Sequence, residues 1–233
     1  AAYGETPNPS TGSTEQAPWT LVMGTNSMMQ INTFISDGTA VGTGINTTVP
    51  TTGYSGSGQN YATSSDKNHA YWSTGSKNGF WSISATSATP VQLSSTASIT
   101  AFSSTVSNYT MANGYTFFST GVATNGIAAH TFTLDLTSAT ILQVDTANNA
   151  IWYTKTTAPY GTELYRATLS DTGFTASMVK DVFAGEKSGV SNTIGAITAD
   201  GKVVFKAFVL GDGYYNEAWV SDGSDQGTFS LST

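Results

Sequence analysis

Few side chains in this 233-residue sequence have types and spacings that could do chemistry. Two histidines, His69 and His130, each stand at the start or in the middle of a strand-like run beside an aromatic residue. Two separated imidazoles make a poor transition-metal cage, and no H-E-x-x-H run is present, so both read as structural strand histidines. The absence of cysteine removes thiolate metal ligands, cysteine nucleophiles and disulfides. Ser55 and Ser57 lie in Gly53-Tyr54-Ser55-Gly56-Ser57-Gly58, which is not a G-x-S-x-G nucleophile turn and reads as a flexible turn. Glu163 and Glu217 could serve as a glycosidase carboxylate pair. They occupy the same slot in two repeated segments, however, which points to structural duty. No catalytic residue is therefore expected, and the chain reads as non-enzymatic.

Two binding chemistries remain. Asp37, Asp222 and Asp225 sit in short Gly-bearing turns, where carboxylate and carbonyl oxygens suit Ca²⁺. Asx side chains also cap such turns with no metal, and no D-x-[DN]-x-[DN]-G loop occurs, so no cofactor is expected. The second chemistry is sugar recognition. Ala158-Pro159-Tyr160-Gly161 and Gly211-Asp212-Gly213-Tyr214-Tyr215-Asn216 place tyrosines beside Gly, Asn and Asp. An apolar ring face beside hydrogen-bonding side chains is the make-up of a carbohydrate platform. The expected ligand-binding residues are thus Tyr160, Asp212, Tyr214, Tyr215 and Asn216. The competing reading packs these tyrosines between sheets.

The elements that must position these residues are strands. Charged residues are only 10% of the chain, helix formers are scarce, and Thr, Val, Ile and aromatic residues alternate with Ser, Gly and Asn. The net charge of −7 excludes a basic stripe for nucleic acid and disfavours an anionic membrane surface. No apolar run reaches the ~20 residues of a helical membrane span. Residues 1–17 hold two prolines, two glycines and no apolar cluster, and read as an extended linker or tail ahead of a domain over 18–233. Ala1-Ala2-Tyr3-Gly4 reads as an end left by signal cleavage, so a secreted or cell-surface location is expected. Even Ala176–Ala184, the best helical candidate, alternates with period two and reads as a strand.

Repeats organise the rest. Aromatic anchors at Phe34, Trp81, Phe132, Tyr165 and Trp219 are each followed eight residues later by Gly or Thr: Gly42, Thr89, Thr140, Gly173 and Gly227. A strand-like run precedes each anchor: Leu21–Met23, Ala70–Trp72, Tyr115–Phe118, Ile151–Tyr153 and Val203–Phe205. Apolar runs such as Val91–Leu93, Ile141–Val144 and Phe229–Leu231 come after. A unit of this size cannot bury both of its faces, so copies stack. The expected fold is all-β, a small β-propeller of about five three- or four-stranded blades, with a β-sandwich or β-solenoid as the alternative. Phe132 and Tyr153 lie only 21 positions apart, which predicts a missing strand there. The first unit also lacks strand material before Leu21.

Ser36-Asp37-Gly38-Thr39-Ala40-Val41-Gly42-Thr43 and Glu217-Ala218-Trp219-Val220-Ser221-Asp222-Gly223-Ser224-Asp225-Gln226-Gly227-Thr228 resemble the bacterial ELWxxDGT repeat, whose fuller pattern is E-L-W-x-x-D-G-T-x-x-G-T. Glu163-Leu164-Tyr165 matches its first half, and Val179-Lys180-Asp181-Val182 resembles the strand that follows. The second and third units share only the anchor spacing. The resemblance implies repeated β-blades and an extracytoplasmic location, and implies no particular activity. The expected function is an extracellular, non-catalytic binding or adhesion module whose partner is a glycan or a cell-surface or matrix protein. The alternative is a subunit of a surface layer or filament, a homo-polymer in which residues 1–17 complete an open sheet edge of a neighbour.

Overall fold

The computed structural model describes residues 20–25, 31–36, 44–45, 61–63, 69–73, 79–84, 91–95, 106–185, 187–210 and 214–232. The expected tail over 1–17, the Ser55 and Ser57 turn, the Asp37 turn and Asp212 lie outside them. The described residues form strands and one single-turn 3-10 helix, Ala128–His130, with no α-helix among them.

Five antiparallel sheets follow one another along the chain, each made of consecutive strands. The first holds β1 (Thr20–Thr25), β2 (Ile31–Ser36) and β3 (Gly44–Ile45). The second holds β4 (Tyr61–Thr63), β5 (His69–Ser73), β6 (Phe80–Ser84) and β7 (Val91–Ser94). The third holds β8 (Asn108–Thr110), β9 (Thr116–Phe118), β10 (Val122–Thr124) and β11 (Thr131–Thr133). The fourth holds β12 (Ala139–Asp145), β13 (Ala150–Thr157), β14 (Gly161–Ser170) and β15 (Gly173–Lys180). The fifth holds β16 (Val190–Ile197), β17 (Val203–Leu210), β18 (Tyr214–Ser221) and β19 (Phe229–Ser230).

One cross-strand pair recurs in every sheet: Val22 opposite Phe34, Trp72 opposite Trp81, Phe117 opposite Ala123, Tyr153 opposite Tyr165 and Phe205 opposite Trp219. Directly opposed residues on one face are the unit of sheet stabilisation, and four of these five positions carry the expected aromatic anchor. The third sheet departs from expectation. Phe132 lies on β11, the edge strand, and Ala123 on β10 holds the anchor's place. Ala123 has a small side chain against Phe117, which a search for aromatic spacing passes over. That displacement also created the apparent missing strand. Ile141–Val144 belongs to β12, which opens the fourth sheet, and this sheet has four strands. The first sheet has three strands among the described residues, and the segment before Thr20 lies outside them.

The chain divides into two compact units. One takes in Ala1–Asn108 and Gly126–Thr131. Its described core lies on the second sheet, where Tyr71, Phe80, Trp81, Ile83 and Leu93 are buried and Tyr71 stacks on His69 and Phe80. The Ser82 hydroxyl donates to the Gly126 carbonyl at 3.2 Å, which joins the 126–131 segment to this sheet.

The other unit takes in Tyr109–Asn125 and Phe132–Thr233, and here β13 is buried on both faces. Ile151 and Tyr153 join Met111, Tyr115, Phe117 and Leu134 in one cluster. Trp152, between them in sequence, joins Leu164, Val203 and Phe205 in another. Period-two alternation sends neighbouring side chains to opposite faces, so a strand apolar at every position serves two cores. Burying each large apolar side chain contributes roughly 1.5–3 kcal/mol.

Candidate functional site

The turns between the first two strands of the third, fourth and fifth sheets pack in succession. Ala112 N–H donates to the Thr146 carbonyl and Asn113 N–H to the Asn149 side chain. Asn148 in turn lies against Gly201. Glycines after third strands perform a matching task. Gly126, Gly173 and Gly223 all have positive φ, and an added Cβ would press on His69, Phe132 and Arg166 respectively. A side chain there meets both an unfavourable backbone and an occupied space, so the glycine of the Asp-Gly motif permits close approach.

The Asp222–Thr228 loop shows how the rest of that motif is spent. Asp222 Oδ1 accepts from Ser224 N–H at 2.8 Å and from the Ser224 hydroxyl at 2.7 Å, and these bonds hold its carboxyl below the usual range. Gly227 N–H donates to Ser224 Oγ, and the Thr228 hydroxyl donates to the Ser224 carbonyl at 2.6 Å. A Cβ on Gly227 would collide with the Asp222 carboxylate. The loop is anchored on the fourth sheet by Lys180, whose Nζ reaches the Asp225 carboxylate at 3.2 Å and its carbonyl at 3.0 Å. Arg166 lies against Gly223 and over the Trp152 ring at 5.4 Å. Asp222 thus caps the turn, and Asp225 pairs with a lysine.

Glu163 is the most deeply buried carboxylate among the described residues of the unit, 0% exposed. Its Oε1 accepts from Gly189 N–H at 2.7 Å and its Oε2 from Val182 N–H at 3.0 Å. Burial pushes its carboxyl up to about 7, against the lowering effect of these two bonds, and the neighbouring Asp181 charge adds to the rise. Glu217 has a different setting. It is partly exposed and accepts from the Ser230 hydroxyl at 2.7 Å. The two carboxylates lie on different sheets, and both act as hydrogen-bond acceptors within the fold.

Gly189 ties two hairpins together. Its N–H also donates to the Thr162 carbonyl at 3.0 Å, and its carbonyl accepts from Phe208 N–H at 2.8 Å. Thr162 adjoins the turn between β13 and β14, and Phe208 lies near the end of β17, paired with Asn216. The structure therefore brings one end of the fourth sheet and one end of the fifth to a single glycine. The Ser188 side chain reinforces the junction by accepting from Thr162 N–H at 3.2 Å. Gly161, with φ +72°, lets the Lys187–Ser188 backbone lie against the turn.

Of the expected binding residues, Tyr160 and Asn216 lie near this junction, and Asp212 is outside the described residues. Tyr160 ends the β13–β14 turn, just after the cis Ala158–Pro159 peptide, and is 40% exposed. Asn216 is exposed on β18. Tyr214 and Tyr215 open β18 opposite Leu210 and Val209, and their side chains lie outside the described residues. Sequence reasoning took 176–184 as one strand, whereas β15 stops at Lys180, and it missed the Gly189 junction.

Among the described residues, no three His, Asp or Glu side chains group as metal ligands. No helix there is long and apolar enough to cross a membrane. No protein-family model and no curated protein matches the chain.

Proposed function

We propose that this chain is a propeller-type repeat module that acts outside the cell by binding, without catalysis, and that its ligand is a glycan. The observation that carries this reading is the position of Tyr160. A large aromatic ring stands exposed on a tight turn, and that turn is tethered through Gly189 to the neighbouring hairpin that leads into Tyr214-Tyr215-Asn216. Exposed rings on rigid turns beside amide and hydroxyl groups suit the apolar face and hydroxyls of a sugar. Thr156, Thr162 and Ser188 supply hydroxyl groups at the same end. The two glutamates that could have formed a glycosidase pair accept hydrogen bonds within the fold, which supports binding without turnover.

The propeller reading rests on five consecutive meanders with one recurring cross-strand pair, and the resemblance to ELWxxDGT repeats supports it. A flat, disc-shaped scattering envelope is expected in solution, and an elongated one would favour a solenoid. A glycan array tests the ligand. Binding is expected for the full chain and is expected to be lost in Tyr160→Ala and Tyr214→Ala. An array with no binding at high protein density removes the glycan reading.

One observation favours the structural-subunit alternative: among the described residues the first sheet has three strands where the other four have four. A sheet edge left open presents N–H and C=O groups to another chain. Under that reading, a chain starting at Pro18 loses self-association that the full chain shows in light scattering.

A further inference from the structure

We propose that the interface between the fourth and fifth sheets holds a small monovalent anion of the halide class, bound by the side-chain N–H groups of Arg166, Trp152 and Trp219.

The donors carry the argument. Arg166 Nε, Trp152 Nε1 and Trp219 Nε1 are buried and have no hydrogen-bond partner among the described residues. They belong to one interface. Trp152 on β13 stands opposite Arg166 on β14, and the guanidinium carbon lies 5.4 Å from the centre of a Trp152 ring. Trp219 on β18 packs against the apolar cluster that holds Trp152, Leu164 and Phe205, with its ring 6.4 Å from that of Phe205. Gly223, on the loop that follows β18, comes so near Arg166 that an added Cβ would lie 3.2 Å from both Nε and Nη1. Trp152 itself is 0% exposed, so bulk water does not serve its indole N–H.

The arginine charge has no match within the fold. Arg166 is the single arginine of the chain and forms no ion pair among the described residues. The carboxylates on β18 and its following loop are engaged elsewhere. Glu217 accepts from Ser230, Asp222 accepts from Ser224, and Asp225 pairs with Lys180.

The chemistry of the set selects the ligand. Indole and guanidinium N–H groups donate and never accept. A buried donor left unpaired is costly, and native interiors pair nearly all of theirs. Water suits the set poorly, because it brings O–H donors of its own that these side chains cannot receive. A halide ion accepts from every donor, donates nothing and carries the one charge that offsets the guanidinium. Charge-assisted bonds of this kind are strong where the surroundings are apolar, as Leu164, Val203 and Phe205 make them here. The bound anion joins β13 and β14 of the fourth sheet to β18 of the fifth.

Indole N–H resonances of the isotope-labelled full chain test the site. The protein is dialysed into chloride-free sodium sulfate and titrated with sodium chloride at constant ionic strength. The Trp152 and Trp219 signals are expected to shift saturably, while those of Trp19, Trp72 and Trp81 follow the salt baseline. Sodium bromide should move the same two signals. Arg166→Gln removes the charge and should weaken apparent chloride affinity at least ~10-fold. Trp219→Phe keeps an aromatic ring, removes one donor and should weaken it as well. The absence of a saturable shift at Trp152 and Trp219 in the unsubstituted chain overturns the proposal. So does a chloride response that neither variant weakens. Indole protons that contact a long-lived water and ignore chloride would assign the donors to water, and would overturn it too.

Discussion

Glu163 and Glu217 occupy one slot, two residues before the anchors Tyr165 and Trp219, yet they live in different environments. Glu163 is sealed from water and binds two backbone amides of a segment that runs to the next sheet. Glu217 is partly exposed and binds one hydroxyl on the next strand of its own sheet. The repeat sets a carboxylate beside the fourth strand in both cases. What covers it decides whether it is a local brace or a tether between sheets. Equivalent sequence positions in a repeat protein therefore need not be equivalent in energy.

The largest contrast should come from removing the two carboxylates at pH 6. Glu163→Ala leaves the Val182 N–H unpaired, takes one of two acceptors from the Gly189 N–H and opens a cavity, at a cost of roughly 2–4 kcal/mol. Glu217→Ala breaks one partly solvated bond and should cost less than ~1 kcal/mol. Urea midpoints of the two variants measure the difference, and equal costs would break the comparison.

Protonation sharpens the same contrast. The folded-state value for Glu163, about 7, lies above its ordinary 4.5. Between those limits the folded chain keeps a proton that the unfolded chain has released. The stabilisation is fully present below about 4.5 and is lost as pH rises through about 7. The total is on the order of 3 kcal/mol at most, at about 1.4 kcal/mol per unit. Stability should thus decline from pH 5 to pH 8 in the unsubstituted chain and in Glu217→Gln, and should stay level in Glu163→Gln. The exposed Asp200, lowered to about 2 by its bonds to Lys202 and Thr198, titrates below this window.

Two glycines extend the contrast to backbone positions. Gly227 faces the Asp222 carboxylate, whereas Gly114, with φ +84°, has nothing within 4 Å of an added Cβ. Gly227→Ala should cost roughly 1–3 kcal/mol by displacing Asp222 from Ser224. Gly114→Ala should cost about 1 kcal/mol, from the left-handed backbone alone. Thermal denaturation of both variants reads the gap, and a larger loss in Gly114→Ala would contradict the clasp described for the Asp222–Thr228 loop.

The strand content was legible because β-branched and aromatic runs alternate with turn residues, and four of five anchors were legible because Phe34, Trp81, Tyr165 and Trp219 are large. Ala123 was not legible. Its place is set by what Phe117 packs against, and an alanine carries no local signal of that. The capping role of Asp222 was open in the sequence as one of two readings, since Asx capping is local and spans two residues. The Gly189 junction was invisible for the opposite reason. Gly189 is 26 residues from Glu163, and only the folded chain brings them within hydrogen-bond range. A pattern of period two says which face a residue takes, and says nothing about which distant segment will cover that face.

The smallest expected effect on stability falls on Tyr160, where it separates the two readings of the exposed tyrosines. A tyrosine that packs between sheets loses buried area on truncation and costs several kcal/mol, as Tyr153 would, buried and pushed up to about 12 chiefly by that burial. A tyrosine that serves as a platform contributes little to folding. Tyr160, at 40% exposure on a turn, is not buried as Tyr153 is. Tyr160→Ala should shift stability by no more than ~0.5 kcal/mol while weakening glycan capture at least ~10-fold, because the ring supplies apolar contact that alanine does not replace. Paired measurements, a urea midpoint and an array signal on the same preparation, decide the matter. A loss of stability above ~1 kcal/mol with unchanged capture would reassign the ring to packing, and the candidate edge would then lose the residue that carries it.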